Sequence, residues 1–419
     1  MRVWLLTVGE PLPSDSAGAR PWRTGLLAET LTSLGHEVVW WTSAFDHFER
    51  RLRTPVDCDV PLGPGLTAVQ LSGVAYERNV SIARLRNHRQ VASKFQELAR
   101  SRPKPDVVLS SLPTLELCDA ASDYGRRHQV PVALDVRDLW PDVIFDLLPQ
   151  PLKAIAPYGA PWMRRQLKRS VDRATAILGV TDEFVGWALD SAGRARSEWD
   201  RAFPMGYSSR TPSEDERRRA DQFWDAQPLR AEHAVVCFFG TLGWMFDFDT
   251  VLAAAAMVAR STPKVRFVLC GGGEQLESLR ARAGANVLLP GRVGFPEIWT
   301  LMRRSIAGLA PYRPFRNFAD NVANKPIEYL SAGLPIITPD LRVLARLVRT
   351  ERCGLVYPSA SAEGLAHCVD SVASDDGSRA QMSAQATALF ERTYVAERVY
   401  GDMANHLKQL AVSFRQGAA

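Results

Sequence analysis

Residues 320–337, DNVANKPIEYLSAGLPII, combine a loop acid, a helical segment, a glycine stop and an apolar run. Asn324 suits the cap of a helix, Pro326 is tolerated in its first turn, and Gly333 suits the residue that ends it. The apolar run LPIIT (334–338) then predicts a buried strand. A helix followed directly by a buried strand is the repeating unit of a parallel α/β sheet.

The same alternation of short apolar runs and helical patterns extends along the chain, with helical spacing as in TGLLAETLTSLG (24–35). In the first half the predicted strands are RVWLLTV (2–8), EVVWWTS (37–43), DVVLSS (106–111), VPVALDVR (130–137) and TAILGVT (175–181). In the second half they are VVCFFG (235–240), VRFVLCGGG (265–273), NVLLPG (286–291), IAGLAP (306–311), LPIIT (334–338) and CGLVYP (353–358). This pattern predicts parallel βαβ units throughout.

Residues 204–233 interrupt the alternation with Pro, Ser and dense charge, and we interpret them as a linker and the entry to a second unit. The 419 residues also exceed what one hydrophobic core usually serves. We therefore predict two doubly wound α/β domains, 1–205 and 206–392, followed by a helical segment, 393–419. Ligands of such sheets bind at the carboxyl ends of the strands, so we expect the site in a cleft between the domains.

Composition excludes several classes of protein. Hydrophobic content of 46% and charged content of 23% are globular values, and the net charge of +5 is far below that of a nucleic-acid-binding protein. A net charge of this size suits binding of an anionic ligand or of an acidic membrane surface. The alternative is that it reflects an arginine-rich composition and implies no partner. The six cysteines form no C-x-x-C pair, and no apolar run approaches a membrane span, so we expect a soluble, cytoplasmic protein. Zinc-protease, α/β-hydrolase and P-loop signatures are absent from the sequence.

Lys325 stands out because only seven of the 51 basic residues are lysine. A helix that begins at the carboxyl edge of a sheet offers free N–H groups and a positive dipole end, and Lys325 would add a point charge for phosphate. Glu328, one turn further on, can accept hydrogen bonds from a vicinal diol, and Asp320 could face other hydroxyls. Two acids on either side of one cation match the parts of a nucleotide-sugar, with ribose and hexose hydroxyls on either side of a pyrophosphate. The alternative is a capped surface helix in which Lys325 pairs with Glu328.

Three glycine-containing loops follow predicted strands. GTLGWMFDFDT (240–250) has two glycines spaced for a tight turn whose N–H groups could approach a diphosphate. We interpret the glycines of CGGGEQLE (270–277) as a tight turn between a strand and a helix, and a contact with a nucleotide is the alternative. SAGARPWRTG (16–25) places glycine and arginine before the first helix, either near a ligand or in a surface loop.

Charged and aromatic residues mark three further candidates. ALDVRDLWPD (133–142) places Arg137 and Asp138 beside a buried strand, where such charges need a ligand or, as the alternative, form a buried internal Arg137–Asp138 network. His47 follows the second strand and is a candidate for binding an acceptor. The segment 160–174 is a basic amphipathic pattern that fits either an anionic membrane surface or an ordinary solvated helix.

Taken in order, these motifs resemble the family 4 glycosyltransferases, which are retaining enzymes of the GT-B fold. R-D-L-W-P and N-K-x-x-E-Y-L are typical of the subgroup that builds bacterial surface polysaccharides, and this chain has RDLWP at 137–141 and NKPIEYL at 324–330. The resemblance implies two Rossmann-like domains facing a central cleft, with the C-terminal helix crossing back to the first domain. It also implies transfer of a hexose-type sugar from a nucleoside diphosphate, with UDP as a candidate, without a metal ion or other cofactor. The acceptor would be a glycan, a lipid-linked glycan or a small molecule, and the enzyme would be cytoplasmic or peripheral at the inner face of the membrane.

The family's paired acids fall on Asp320, for the donor sugar, and Glu328, for the ribose. The catalytic residues expected from the resemblance are Lys325, Asp320, Arg137 and Asp138. The expected donor-binding residues are Glu328, Gly240, Thr241, Gly243, Gly272, Arg292, Val293, Asn321, Asn324 and Arg316. The expected acceptor-binding residues are Gly18, Arg20, Arg23 and His47, and no metal ligand is expected.

The sequence departs from the family in three places. The histidine often found after the third strand is missing, because VVLSSLPT (107–114) has serines there. The first acid is an aspartate, and the segment WMFDFD (244–249) lacks the arginine and lysine that often follow the first glycine turn. Arg313, Arg316 or Arg137 are candidates to replace them. Alternative functions are a GT-B-type nucleotide-sugar epimerase, a natural-product glycosyltransferase with a small-molecule acceptor, and a non-catalytic sugar-nucleotide or polysaccharide-binding module.

Overall fold

The computed structural model describes residues 1–15, 21–78, 81–146, 161–208 and 210–417. The chain forms two compact α/β units, unit 1 (Met1–Gly206 with Ala396–Ala419) and unit 2 (Tyr207–Val395). The domain ends expected from the sequence, 205 and 392, lie close to these divisions. The C-terminal helix, Ala396–Gly417, belongs to unit 1, although unit 2 precedes it in the chain.

Unit 1 is built on a mostly parallel sheet. Its described strands are β1 (Arg2–Leu6), β2 (Glu37–Ser43), β3 (Phe45–Asp46), β4 (Arg51–Leu52), β5 (Cys58–Gly63), β6 (Leu66–Leu71), β7 (Val107–Ser111), β8 (Val132–Val136), β9 (Ala176–Gly179) and β10 (Arg201–Ala202). The strand order of the main sheet is β10-β9-β8-β7-β1-β2-β6-β5, and β3 pairs with β4 separately. The pairing of β5 with β6 is antiparallel and the other pairs of the main sheet are parallel.

Helices cover both faces of this sheet, which is why its central strands are continuously apolar. The described helices that precede unit 2 are α1 (Arg23–Ser33), α2 (Ile82–Leu98), α3 (Leu115–His128), α4 (Asp142–Asp146), α5 (Pro161–Arg173) and α6 (Asp182–Ala192). On one face Trp4 and Phe95 pack against Trp41, with ring centroids 5.1 and 5.0 Å from that of Trp41. On the other face Trp40 lies in the core cluster that includes Leu407 of the C-terminal helix.

Unit 2 repeats the scheme with a fully parallel sheet. Its described strands are β11 (Ala234–Phe239), β12 (Val265–Cys270), β13 (Val287–Gly291), β14 (Ser305–Leu309), β15 (Ile336–Pro339) and β16 (Gly354–Tyr357), in the order β13-β12-β11-β14-β15-β16. Its described helices are α7 (Glu214–Asp225), α8 (Phe248–Ser261), α9 (Leu276–Arg282), α10 (Phe295–Arg304), α11 (Arg316–Ala319), α12 (Asn324–Ser331), α13 (Arg342–Glu351), α14 (Ala362–Ser374) and α15 (Asp376–Leu389).

The strands predicted from the sequence coincide with β1, β2, β7, β8, β9 and β11 to β16, with differences only at their ends. The predicted strand at 265–273 is too long, because β12 ends at Cys270 and the three glycines form a turn. The strands between residues 45 and 71 are not predicted. There the edge strand β5 contains Pro61 and alternates half-buried and exposed side chains, a weak pattern for a strand. No helix among the described residues is long and apolar enough to cross a membrane.

The interpretation of residues 204–233 as a linker is wrong in its centre, where α7 forms a regular helix of unit 2. Ser213 and Glu216 form a reciprocal capping box at its start, so dense charge here marks a helix N-terminus. Trp224 is fully buried, and its indole Nε1 donates to the carbonyl oxygen of Glu297 at 2.9 Å. This anchor attaches α7 to α10.

Replacing Trp224 with alanine is expected to lower the free energy of unfolding by about 3–5 kcal/mol, because it leaves a large cavity and removes the indole hydrogen bond to α10. The neighbouring aromatic residue, Phe223, is only half-buried and serves as the matched control. Urea unfolding measured for Trp224→Ala and Phe223→Ala checks the prediction. Equal losses in the two variants would show that α7 is not anchored in this way.

Candidate active site

The carboxyl edge of the unit 2 sheet has a crevice where the strand order reverses. β11 lies between β12 and β14, so the connections that leave β11 and β14 run to opposite sides. Such a switch point is the usual ligand position in an open α/β sheet. The loop after β11 contains Gly240 to Gly243, and the loop after β14 leads through Asp320 to α12.

Helix α12 is fixed on the sheet by Tyr329. A Cβ atom at Gly308 of the central strand β14 would lie 2.4 Å from Cγ of Tyr329, so only glycine leaves room for the ring. The Tyr329 hydroxyl donates to the carbonyl oxygen of Leu309 at 2.9 Å, and its ring lies 5.3 Å from that of Phe239. The sequence motif EYL therefore places its tyrosine under the helix, between β11 and β14.

The two ends of α12 differ in how well the sequence predicts them. Gly333 ends the helix as predicted: its φ is +63°, its N–H donates to Leu330, and the N–H of Leu334 donates to Tyr329. The prediction that Asn324 caps the start is wrong. Ala323 is the capping residue and no side chain caps the helix, which leaves Asn324 exposed in the first turn.

Lys325 extends from the first turn of α12 to the glycine turn after β11. A Cβ atom at Gly240, whose φ is +129°, would lie 2.5 Å from Cε and 2.8 Å from Nζ of Lys325. The ammonium group also lies 4.7 Å from the ring centroid of Phe246 and 5.4 Å from that of Phe238. Two motifs separated by about 80 residues in sequence therefore meet at one amine.

The Lys325 amine is electrostatically unusual. Burial lowers its pKa from the ordinary 10.5 to about 8, and the charge of Glu328 opposes this shift. The alternative that Lys325 pairs with Glu328 is not what the structure shows, because Lys325 has no ion pair with any described residue. Aromatic rings take the place of an acid beside it. A desolvated cation in a crevice is a candidate functional group.

The two glycine turns lie against each other, backbone to backbone. A Cβ atom at Gly271 would lie 1.8 Å from the carbonyl oxygen of Gly240, and one at Gly273 would lie 2.6 Å from that of Leu242. The N–H of Leu242 in turn donates to the carbonyl oxygen of Gly272 at 2.9 Å. Close packing thus accounts for the outer two of the three consecutive glycines.

Gly272 has a different neighbour, the side chain of Arg292. A Cβ atom at Gly272 would lie 2.8 Å from Nε of Arg292, which is exposed in the loop after β13. Val293 follows and is half-buried. Thr241, in the first turn, is exposed, whereas Gly243 is buried. The structure brings Gly272 together with Arg292, but their role as nucleotide contacts stays a prediction.

Asp320 is held by two arginines. Its side chain is 2% exposed, with Oδ1 2.8 Å from Nη1 of Arg342 and Oδ2 3.3 Å from Nε of Arg316. Both guanidinium groups are more than half exposed. Nothing in the sequence around Arg342, LRVLAR, distinguishes it from other helical arginines, so sequence reasoning misses it. Asp320 therefore fixes the positions of the Arg316 and Arg342 side chains, in addition to any contact it makes with a sugar.

Other candidates of unit 2 lie nearby. Asn321 follows Asp320, and its buried Oδ1 has no hydrogen-bond partner among the described residues. Glu328 is buried in α12. Arg313 lies beside the first glycine loop, where Nη2 is 3.5 Å from Asp249 Oδ2 and Nε donates to the carbonyl oxygen of Phe246.

Unit 1 has its own charged cluster at the carboxyl edge of its sheet. Arg23 is 2% exposed, donates to both carboxylate oxygens of Asp135 at 2.9 and 3.0 Å, and also donates to the carbonyl oxygen of Pro204. Burial alone would raise the pKa of Asp135, but Arg23 and Arg137 hold it well below its usual range. Arg23 therefore stabilises the interior of unit 1, and its expected role in contacting an acceptor stays a prediction.

Arg137 belongs to the same network. It donates to Asp135 at 2.6 Å and to Thr24 at 3.0 Å, and it forms an ion pair with Glu10. The internal-network alternative for RDLWP is thus supported, and the network includes Asp135 and Glu10, which the sequence does not indicate as partners of Arg137. Apart from its position after β1, nothing in the sequence indicates that Glu10 is a partner of Arg137. Asp138 is half-buried.

Among the expected acceptor residues, Gly18 and Arg20 lie outside the described residues. His47 is half-buried and its Nδ1 lies 2.9 Å from the Tyr76 hydroxyl. Burial, with the nearby charges of Arg84 and Arg50, lowers the pKa of His47 to about 4, so the imidazole is neutral near pH 7. In the part of the chain that the structure describes, no three His, Cys, Asp or Glu side chains are grouped to hold a metal ion.

Part of the chain matches a known protein family. Residues 221–389 match the family described as glycosyl transferases group 1. No curated protein sequence matches the chain significantly.

Solved structures resemble the whole chain. Sucrose-phosphate synthase from Thermosynechococcus elongatus aligns with a TM-score of 0.71 and 16% identity, covering 98% of this chain and 99% of that one. HepE from Anabaena, in complex with UDP-glucose, aligns with a TM-score of 0.66 and 14% identity over 98% and 100% of the two chains. WaaG, a glycosyltransferase involved in lipopolysaccharide biosynthesis, aligns with a TM-score of 0.64 and 14% identity over 97% and 99%.

These likenesses establish the GT-B fold over nearly the whole chain. The group 1 match falls on the unit that contains Lys325, Asp320 and both glycine turns. Fold and domain match together indicate that the protein is a glycosyltransferase of the GT-B fold.

Proposed function

We propose that the protein transfers a hexose-type sugar from a nucleoside-diphosphate donor to an acceptor hydroxyl with retention of the anomeric configuration. The observation that carries this proposal is the contact of Lys325 with Gly240 at the switch point of unit 2. A lysine with no acidic partner there, beside backbone N–H groups, suits a diphosphate.

The donor diphosphate lies between the first glycine turn and the start of α12 in this proposal. Lys325 neutralises part of its charge, and the uncapped first turn of α12 supplies N–H groups and the positive end of the helix dipole. Glu328 holds the ribose, and the backbone near Arg292 and Gly272 holds the base. Asp320 keeps Arg316 and Arg342 close to the sugar end of the donor.

The reaction breaks the bond between the anomeric carbon and the β-phosphate oxygen. The acceptor oxygen bonds to the same face of the sugar, and its proton passes to the departing phosphate. Negative charge develops on that phosphate, so a fixed cation and helix N–H groups stabilise the transition state. With these groups in place, we propose that transfer needs no metal ion or other cofactor.

Two of the structural relatives support the finer parts of the proposal. HepE was solved with UDP-glucose, which favours UDP as the nucleotide, and WaaG acts in lipopolysaccharide biosynthesis, which favours a surface polysaccharide or glycoconjugate as the product. We accordingly place the enzyme in the cytoplasm, with a glycan or a lipid-linked glycan as acceptor and peripheral contact with the membrane. On the acceptor side, His47 serves as a neutral hydrogen-bonding group.

The function is tested by incubating the purified chain with UDP-glucose and a panel of glycan and lipid-linked acceptors, with EDTA present. We expect transfer products whose new linkage is α, detected by NMR, because UDP-glucose carries an α-linked sugar and retention preserves it. A β linkage would contradict retention, and activity restored only by a divalent cation would contradict metal-free transfer. Epimerised sugar nucleotide formed without any acceptor would favour the epimerase instead.

Lys325→Ala is expected to reduce kcat/KM for the donor by about a hundredfold or more, because it removes the cation that stabilises the leaving diphosphate. Lys264→Ala changes an exposed lysine of the same unit and is the matched control. Steady-state kinetics with UDP-glucose measure both. A near-normal rate for Lys325→Ala would exclude the proposed phosphate contact.

Binding of UDP is expected to weaken above pH 8, roughly tenfold for each further pH unit. Below pH 8 the Lys325 amine is protonated and attracts the diphosphate, and above pH 8 it loses its charge in the free enzyme. Calorimetric titration of UDP between pH 7 and pH 9 measures this slope. In Lys325→Gln the slope should disappear. A slope that persists in the variant would assign it to another group.

A further inference from the structure

A pocket of about 390 Å³ in unit 1 is not used by the proposed reaction. It is lined by Arg89 from α2, Glu116 from α3, and Trp162, Arg165, Gln166 and Arg169 from α5. Three guanidinium groups thus face one carboxylate, in a cavity large enough for a small polar ligand.

Two of these arginines have no acidic partner among the residues that the structure describes. Arg169 pairs with Asp119 at 2.6 Å, whereas neither Arg89 nor Arg165 forms an ion pair with any residue that the structure describes. The Arg89 guanidinium lies 5.2 Å from the ring centroid of Trp162, which supports it at the pocket wall. Two guanidinium groups that line one pocket and form no ion pair with a described residue are suited to a phosphate.

Glu116 adds a hydrogen-bond acceptor with a negative charge to the pocket lined by the arginines. Its side chain is 8% exposed and its Oε1 has no hydrogen-bond partner among the described residues. Its Oε2 lies 3.7 Å from Nδ1 of His88, whose other ring nitrogen accepts from Arg84 at 3.4 Å. Burying a carboxylate that is incompletely hydrogen-bonded is costly, and because Glu116 lines the pocket, a ligand hydroxyl that donates to its carboxylate would offset that cost.

We propose that this pocket binds a phosphorylated polyol, with the phosphate on Arg89 and Arg165 and a hydroxyl group donating to Glu116. The carboxylate repels a bare phosphate ion and accepts a hydroxyl, so it selects for a ligand that carries both groups. Such a group occurs in free polyol phosphates and in the headgroup of anionic phospholipids such as phosphatidylglycerol. All of the residues that line the pocket belong to unit 1, whereas the residues proposed to bind the donor belong to unit 2.

Calorimetric titration of the full chain with sn-glycerol 3-phosphate tests the phosphate contacts. Arg89→Ala and Arg165→Ala are each expected to weaken binding about tenfold, since each removes a charge-assisted hydrogen bond. Arg86→Ala is the matched control, because Arg86 is exposed on the same helix one turn earlier and does not line the pocket. Equal binding by the wild type and the double variant Arg89→Ala/Arg165→Ala would overturn the proposal.

Glu116→Gln tests the polyol contact. Removing the negative charge should strengthen binding of inorganic phosphate, and it should reduce the preference for glycerol 3-phosphate over inorganic phosphate. An unchanged preference would show that Glu116 does not receive the hydroxyl and would overturn that part of the assignment. Thermal unfolding of each variant verifies that the chain is folded.

Vesicle sedimentation separates the two sources of the ligand. If the headgroup is the ligand, the protein binds phosphatidylglycerol vesicles but not phosphatidylcholine vesicles, and the double arginine variant loses this binding. If the ligand is soluble, glycerol 3-phosphate binds and the vesicles do not. Failure of both ligands to bind would overturn the proposal without affecting the donor experiments.

Discussion

The contact between Tyr329 and Gly308 determines where the charged groups of unit 2 lie. A glycine in a central strand weakens the strand, yet here any Cβ atom would enter the tyrosine ring. Because the ring lies flat on β14 and its hydroxyl bonds to Leu309, α12 has one position beside β11. That position brings Lys325 across Gly240, whose backbone conformation in turn depends on its close approach to Gly271. One packing contact therefore sets the geometry of the whole crevice.

The two units use buried charge in opposite ways. In unit 1 Arg23 and Arg137 are matched by Asp135 and Glu10, so the network is closed, and removing one member would leave an uncompensated buried charge. In unit 2 the Lys325 amine faces two phenylalanine rings and a backbone turn without an acidic partner. The first arrangement compensates its buried charges internally, and the second leaves a cation that an anionic ligand would compensate. The contrast is consistent with the proposed role of Lys325 in binding a ligand, whereas the contacts of Arg137 are those of a structural network.

Sequence alone predicts the α/β class, the two-unit organisation and most strands, because buried parallel strands are continuous apolar runs and glycine marks their ends. It also identifies Lys325, Glu328 and both glycine turns as candidates. It does not predict the arginine pair on Asp320, because Arg342 comes from a later helix and ion pairs between elements leave no local pattern. The start of α12 is predicted wrongly for a related reason: asparagine is a strong cap in isolation, but here Ala323 takes that position. Strand β5 is also not predicted, because it lies at the edge of the sheet and buries few side chains, so its sequence lacks the apolar run that identifies the central strands.

The lowered pKa of Lys325 links donor binding to stability. The amine has an ordinary pKa of 10.5 when unfolded and about 8 when folded, so the unfolded chain binds the proton more tightly. Its burial therefore destabilises the fold fully below pH 8, and this cost declines as the pH rises from 8 towards 10.5. An anion at the amine favours the charged form and offsets the cost at neutral pH. In the proposed function a diphosphate would supply this counter-charge in the bound state, and the crevice of aromatic rings and glycine turns around Lys325 is consistent with that role.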